Sequence, residues 1–129
     1  MVADTSALLA ILLDEPDAAS FRTAVEAAEL RLISAGTVLE LGIVVEARFG
    51  EAGALELDLL LSKAEFEVVP VDAEQVELGR AAYRRFGKGR HPAGLNLGDC
   101  FAYALAVTSG EPLLFKGGDF PKTDVTAAL

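Results

Sequence analysis

The first sixteen residues, MVADTSALLAILLDEP (Met1–Pro16), set one carboxylate between two apolar runs. MVADT reads as a short buried strand, and SALLAILL begins a helix, so Asp4 falls where the strand ends. A buried, unpaired charge costs several kcal/mol or more unless it is neutralised, paired or bound to a cation. No Lys or Arg occurs before Arg22, so a local partner is missing. Thr5 or Ser6 would cap the helix without Asp4, and a core strand has little use for a carboxylate. The pattern therefore asks which cation Asp4 holds.

Outward from this stretch, strands and helices alternate. EPDAASFRTAVEAAE is a second helix, with Pro16 near its first turn, where a missing N–H does no harm. LRLISA is a strand. TVLELGIVVEARF is a helix apolar on nearly every side, hence internal, and EAGALELDLLLSKA is amphipathic. FEVVPV is a strand, and DAEQVELGRAAYRRF is a helix capped by Asp72 and stopped at Gly87. KGRHPAGLNLG is a loop, DCFAYALAVTS a helix ended by Gly110, PLLF a strand, and DVTAAL a terminal strand or tail. This alternation predicts an α/β fold, a mostly parallel sheet covered on both faces. Sites in such sheets lie beyond the carboxyl ends of the strands.

With 129 residues, no repeat and no long linker, residues 1–129 read as a single domain. No apolar run reaches the roughly 18–20 residues that span a bilayer, so no membrane role is expected. The first residues lack the basic flank of a secretory signal, so the mature protein is expected to start here. The single cysteine, Cys100, forms no internal disulfide and reads as a small core residue. Together these predict a reducing, cytoplasmic setting. A net charge of −9 argues against a basic nucleic-acid coat protein, but not against an enzyme that holds divalent cations and then meets a phosphate.

Four carboxylates stand in apolar company or at element ends: Asp4, Glu40 in TVLELGIVV, Asp99 in LNLGDCFAYALA, and Asp119 in LLFKGGDF. Strand ends and the helix starts that follow them converge on one edge of the sheet. Like charges gathered there repel, and a bound cation relieves this at neutral pH. Hard oxygen ligands suit Mg²⁺ or Mn²⁺, whereas one His and no thiolate pair are too few for a usual zinc site. Blander roles remain open for three of them. Thr37 to Glu40 fits a capping box, Asn96 with Asp99 fits a similar cap, and Asp119 fits a turn.

Taken together, VADTSALLAI, TVLEL, LNLGDCFAYALA and LLFKGGDF with TDV, in that order and spacing, resemble the VapC toxins of the PIN-domain family. The likeness covers essentially the whole chain. It implies a compact three-layer α/β/α sandwich, metal-dependent ribonuclease activity, a cognate VapB antitoxin, and homodimers that pair into larger assemblies. It places metal-site acids at Asp4, Glu40 and Asp99, with Asn96 one helical turn before the third acid and Ser6 beside the first. Many relatives carry the fourth acid where this chain has Gly117; here it falls at Asp119, which can act through a water or at a second metal. Asp124 could replace it, but its place at a strand start points to a structural role. Gly117 also keeps open a degenerate, non-catalytic member that only binds its partner.

On this reading Asp4 and Asp99 hold the ion, Glu40 holds a second ion or orients water, and Ser6 and Asn96 position these groups. Five of the eleven basic residues, Arg80, Arg84, Arg85, Lys88 and Arg90, cluster in GRAAYRRFGKGR, followed by His91. They are either a solvated face or a hold on the RNA backbone. Tyr83 could stack a base, whereas Phe86 suits the core. Single-stranded loops are the usual targets of sequence-specific RNA readers, so a structured-RNA loop such as that of a tRNA is the expected substrate. The stripe of Leu55, Leu59 and Leu60 is either core or a seat for an antitoxin helix. DNA would be met only through the antitoxin. A receiver domain would want paired acids after the first strand, and a dehalogenase-like phosphatase an acid where Ser6 stands; both readings fail.

Overall fold

A computed structural model describes all residues, Met1–Leu129. Four strands, β1 (Val2–Ala3), β2 (Leu32–Ser34), β3 (Glu67–Val69) and β4 (Leu113–Leu114), form one parallel sheet in the order β3-β2-β1-β4. The chain end adds a single bridge, Leu113 with Ala127, beside β4. Alternate residues along each strand face opposite sides. Ala3, Ile33 and Leu114 join one core with α1 (Thr5–Leu12), α2 (Ala18–Ala27) and α3 (Ala35–Lys63). Val2, Leu32 and Leu113 join the other with α4 (Ala73–Phe86) and α5 (Leu97–Ser109). The result is the expected three-layer α/β/α sandwich. No helix is long and apolar enough to cross a membrane.

Several elements depart from the sequence reading. α1 begins at Thr5 and Asp4 itself is its cap, so the carboxylate has a local role after all. α2 starts at Ala18, leaving Pro16 in the turn before it. α3 starts at Ala35, capped by Ser34, which accepts from Gly36 N at 3.2 Å. Thr37 is thus already inside the helix, the predicted Thr37–Glu40 capping box does not form, and Glu40 is released for another task. Nor is α3 wholly internal. Leu39 is 65% and Ile43 60% exposed, while Leu41 and Val45 face the core. Gly50, at φ +61°, breaks α3 into the two helical halves that the sequence separates there. Asn96 caps α5, which therefore starts two residues before Asp99.

Candidate functional site

The C-terminal ends of β1, β2 and β4 and the N-terminal turns of α1, α3 and α5 supply the acids. Asp4 follows β1 directly and is only 3% exposed. Its Oδ2 accepts from Ser6 N at 3.0 Å and from Ser6 Oγ at 2.6 Å. Ser6 Oγ in turn accepts from Lys116 N at 2.9 Å, just beyond β4. Asp4 has no ion pair with any Lys, Arg or His. Burial pushes its carboxyl up to about 6, the Ser6 hydrogen bonds pull it back in part, and the charges of Asp99 and Glu40 add to the rise.

Asp99 sits in the first turn of α5. It closes a reciprocal cap: Asp99 N donates to Asn96 Oδ1 and Asn96 N to Asp99 Oδ2, both at 3.0 Å. Capping fixes the backbone that presents the acid. Burial raises the Asp99 carboxyl, the Asn96 hydrogen bond lowers it, and Asp119 and Glu40 raise it further. Glu40, one turn into α3, accepts from Thr5 Oγ1. Asp119 opens the 3₁₀ turn Phe120–Lys122, and its side chain makes no capping bond there. Asp4, Glu40, Asp99 and Asp119 therefore share one electrostatic field.

Three residues that the sequence pattern does not single out as site residues complete the arrangement. Thr5 holds Glu40. Gly98 leaves room for it, because a Cβ there would fall inside the Glu40 carboxylate. Glycine early in a helix costs about 1 kcal/mol relative to Ala, so its presence beside an acid was the available signal of a close approach. Lys116 sends its ammonium to Glu15 and Asp17, away from the acids.

The donor set fits a hard divalent cation. It offers carboxylate and hydroxyl oxygens and a buried acid without a counter-charge. The carboxylates do not, however, close into a ligand cage: no three Asp, Glu, His or Cys side chains are gathered tightly enough to hold an ion. Asp4, Glu40 and Asp99 are instead each held by a hydrogen-bond partner of their own, Ser6, Thr5 and Asn96.

The basic segment divides. Arg80 pairs with Glu77 and Arg85 with Asp124, each at 3.0 Å, while Arg84 and Lys88 have no ion pair. Arg90 lies over the Tyr83 ring at 5.7 Å. Phe86 is core, as expected, and His91 Nδ1 accepts from Ala93 N. Asp124 also accepts from Tyr103 OH at 2.8 Å, a structural role. Of the apolar stripe, Leu55 and Leu59 are exposed and Leu60 packs on the core.

The PIN-domain family model matches residues 1–125. The chain belongs to the PIN-domain family. Across its whole length this PIN domain is 60% identical to ribonuclease VapC30 of Mycobacterium tuberculosis, covering 99% of that protein. It is 59% identical to a ribonuclease VapC of Mycolicibacterium smegmatis, covering 98% of each chain. In fold it is similar to VapC20 of M. tuberculosis, a sarcin–ricin loop cleaving toxin, with a TM-score of 0.78 and 16% identity over 97% of this chain and 95% of that one. VapBC2 of Rickettsia felis, solved on a DNA fragment from its promoter, matches with a TM-score of 0.76 and 15% identity over 98% and 94%. PIN-domain VapC ribonucleases depend on a metal.

Proposed function

We propose that this PIN domain is a VapC-type toxin, a ribonuclease that uses Mg²⁺ or Mn²⁺ to hydrolyse RNA phosphodiester bonds and is held in check by a cognate VapB-type antitoxin. The observation that carries the reading is Asp4. It is buried, has no cationic partner, and lies in the field of Glu40 and Asp99. Full-length relatives named as VapC ribonucleases support the activity.

Asp4, Asp99 and Glu40 are the residues that would hold the ion. The chemistry it supplies is neutralisation of charge at the phosphate and activation of water for in-line attack. The chain's own residues do the rest. Ser6 fixes the Asp4 carboxylate and, through Lys116 N, ties it to the end of β4. Thr5 and Gly98 let Glu40 stand against the start of α5. The cap with Asn96 orients Asp99. Asp119 is exposed and acts on the field of Asp99, where it would act through a water or a second ion. The basic segment 80–90 offsets the repulsion between the acids and an RNA backbone, and a structured-RNA loop such as that of a tRNA suits it.

The antitoxin is assigned to the exposed apolar face that includes Leu55 and Leu59. The acidic balance fits DNA binding through that partner rather than through this chain. Purified full-length protein free of its antitoxin should cleave RNA in Mg²⁺, and EDTA should abolish this. Asp4→Asn and Asp99→Asn should each lower cleavage at least about 10²-fold while the fold persists. Equal cleavage by wild type and either variant would refute the site. Antitoxin binding with no cleavage under any divalent ion would instead favour a partner-only protein, the reading that Gly117 supports.

A further inference from the structure

Helices α4 and α5 leave between them a groove of about 740 Å³. Its floor is apolar: Val76, Tyr83 and Leu97 line it, and all three are exposed, Leu97 by 74%. Its rim carries Arg80, Arg84 and Lys88, and no carboxylate lines it. In a chain of net charge −9 this is an unusual concentration of positive charge. Arg84 and Lys88 have no acidic partner, whereas Arg85, next in sequence, is engaged by Asp124. One end of the groove is Asn96 and Leu97, the turn of α5 that also carries Gly98 and Asp99. Asp99 thus lies on the same helix end, and the Glu40 carboxylate stands against that turn at Gly98.

A surface that joins free cations to an exposed apolar floor suits a ligand with phosphates along one edge and flat rings along the other. Unpaired nucleotides have this character, since their bases stack on side chains while the phosphates meet Arg and Lys. A duplex keeps its bases inside and would leave the floor uncovered. We propose that the α4–α5 groove is the subsite for the single-stranded RNA that flanks the cleaved bond, with Arg84 and Lys88 on phosphates and Tyr83, Val76 and Leu97 beneath bases. The assignment rests on the ribonuclease reading above and adds to it where the strand runs and why it must be unpaired.

The experiment measures binding of a short labelled single-stranded RNA by anisotropy, using full-length protein in EDTA so that cleavage is off. The double variant Arg84→Glu/Lys88→Glu should raise Kd at least about tenfold and reduce the slope of log K against log salt by about 1.4, at roughly 0.7 per phosphate contact. Tyr83→Ala should raise Kd about fivefold or more through lost stacking. A duplex of the same sequence should compete poorly. Lys63→Glu, at the far end of α3, should bind like wild type. In Mg²⁺ the double variant should show a raised KM with kcat retained. Binding by the double variant within about twofold of Lys63→Glu, with an unchanged salt slope, would overturn the proposal. So would an altered oligomeric state in light scattering with RNA affinity unchanged, which would assign the groove to contact between copies. If wild-type protein binds RNA with this pattern but cleaves none in any divalent ion, the ribonuclease reading falls, and with it the groove's place beside a cleaved bond, while single-stranded RNA binding there stands.

Discussion

At the scale of single residues, Asp4 serves two ends that conflict in stability. As the cap of α1 it accepts from Ser6 N, a role that asks only for an oxygen. As a buried charge it works against the fold. Its carboxyl is pushed up from 3.8 to about 6, first by burial. Between these values the folded chain keeps a proton that the unfolded chain has lost, so stability falls as pH rises through the window. The full cost, about 2–3 kcal/mol, stands above pH 6 and is absent below pH 3.8. Asn caps as well as Asp and carries no charge. In metal-free protein at pH 7.5, Asp4→Asn should therefore raise Tm by at least about 4 °C, and the gain should vanish by about pH 4. Thermal melts across pH in EDTA check this. A variant that is less stable than wild type at pH 7.5 would mean that the charge is already compensated within the fold. The position of Asp4 was legible because a strand of apolar residues ends on it. Its capping role was not, since Thr5 and Ser6 compete for the same duty and the exact end of β1 decides among them.

At the scale of elements, the site depends on how closely α3 and α5 approach. Two glycines allow it, and they should behave oppositely. A Cβ at Gly36 would meet the Phe101 ring at 2.5 Å, and a packed ring has little room to yield. Gly36→Ala should cost about 1–3 kcal/mol, read as a lower denaturant midpoint with unchanged slope. A Cβ at Gly98 would meet the free end of the Glu40 side chain, which can swing aside. Gly98→Ala should leave stability unchanged or raise it by up to about 1 kcal/mol from helix propensity. Cleavage should nonetheless fall at least about tenfold, because Glu40 then loses its place against α5. Parallel melts and cleavage assays separate the cases. Full activity in Gly98→Ala would show that Glu40 need not stand there. Hydrophobic periodicity found these helices but not this contact. It reports which residues are apolar, not what covers them, and for the same reason Leu39 and Ile43 were read as internal although they are exposed.

At the scale of the whole molecule, the alternation of strands and helices made the layered parallel fold legible, because a crossover between parallel strands leaves few arrangements. That Asp4, Glu40 and Asp99 come near enough to act on one another's charge follows from the same alternation, since strand ends in such a sheet share an edge. The local hydrogen bonds that hold each acid were not, since Thr5–Glu40 and Lys116–Ser6 join residues brought together only by folding. Neither was the split of the basic segment, where Arg85 finds Asp124 across 39 positions of chain. A divalent ion held by these acids would bridge groups that otherwise repel one another, and would join β1, α3, α5 and the segment after β4 into one unit. A divalent ion should therefore stabilise the entire fold and not the site alone, by about 2.7 kcal/mol at a hundred times its Kd. Melts of wild type in Mg²⁺ or Mn²⁺ should show Tm rising with concentration, and Asp99→Asn should lose most of that rise. Screening of the net charge of −9 would also raise Tm, but NaCl at equal ionic strength supplies the same screening. If NaCl matches the divalent ion, or if Asp99→Asn responds as wild type does, the gain comes from general charge and the acids do not grip a metal.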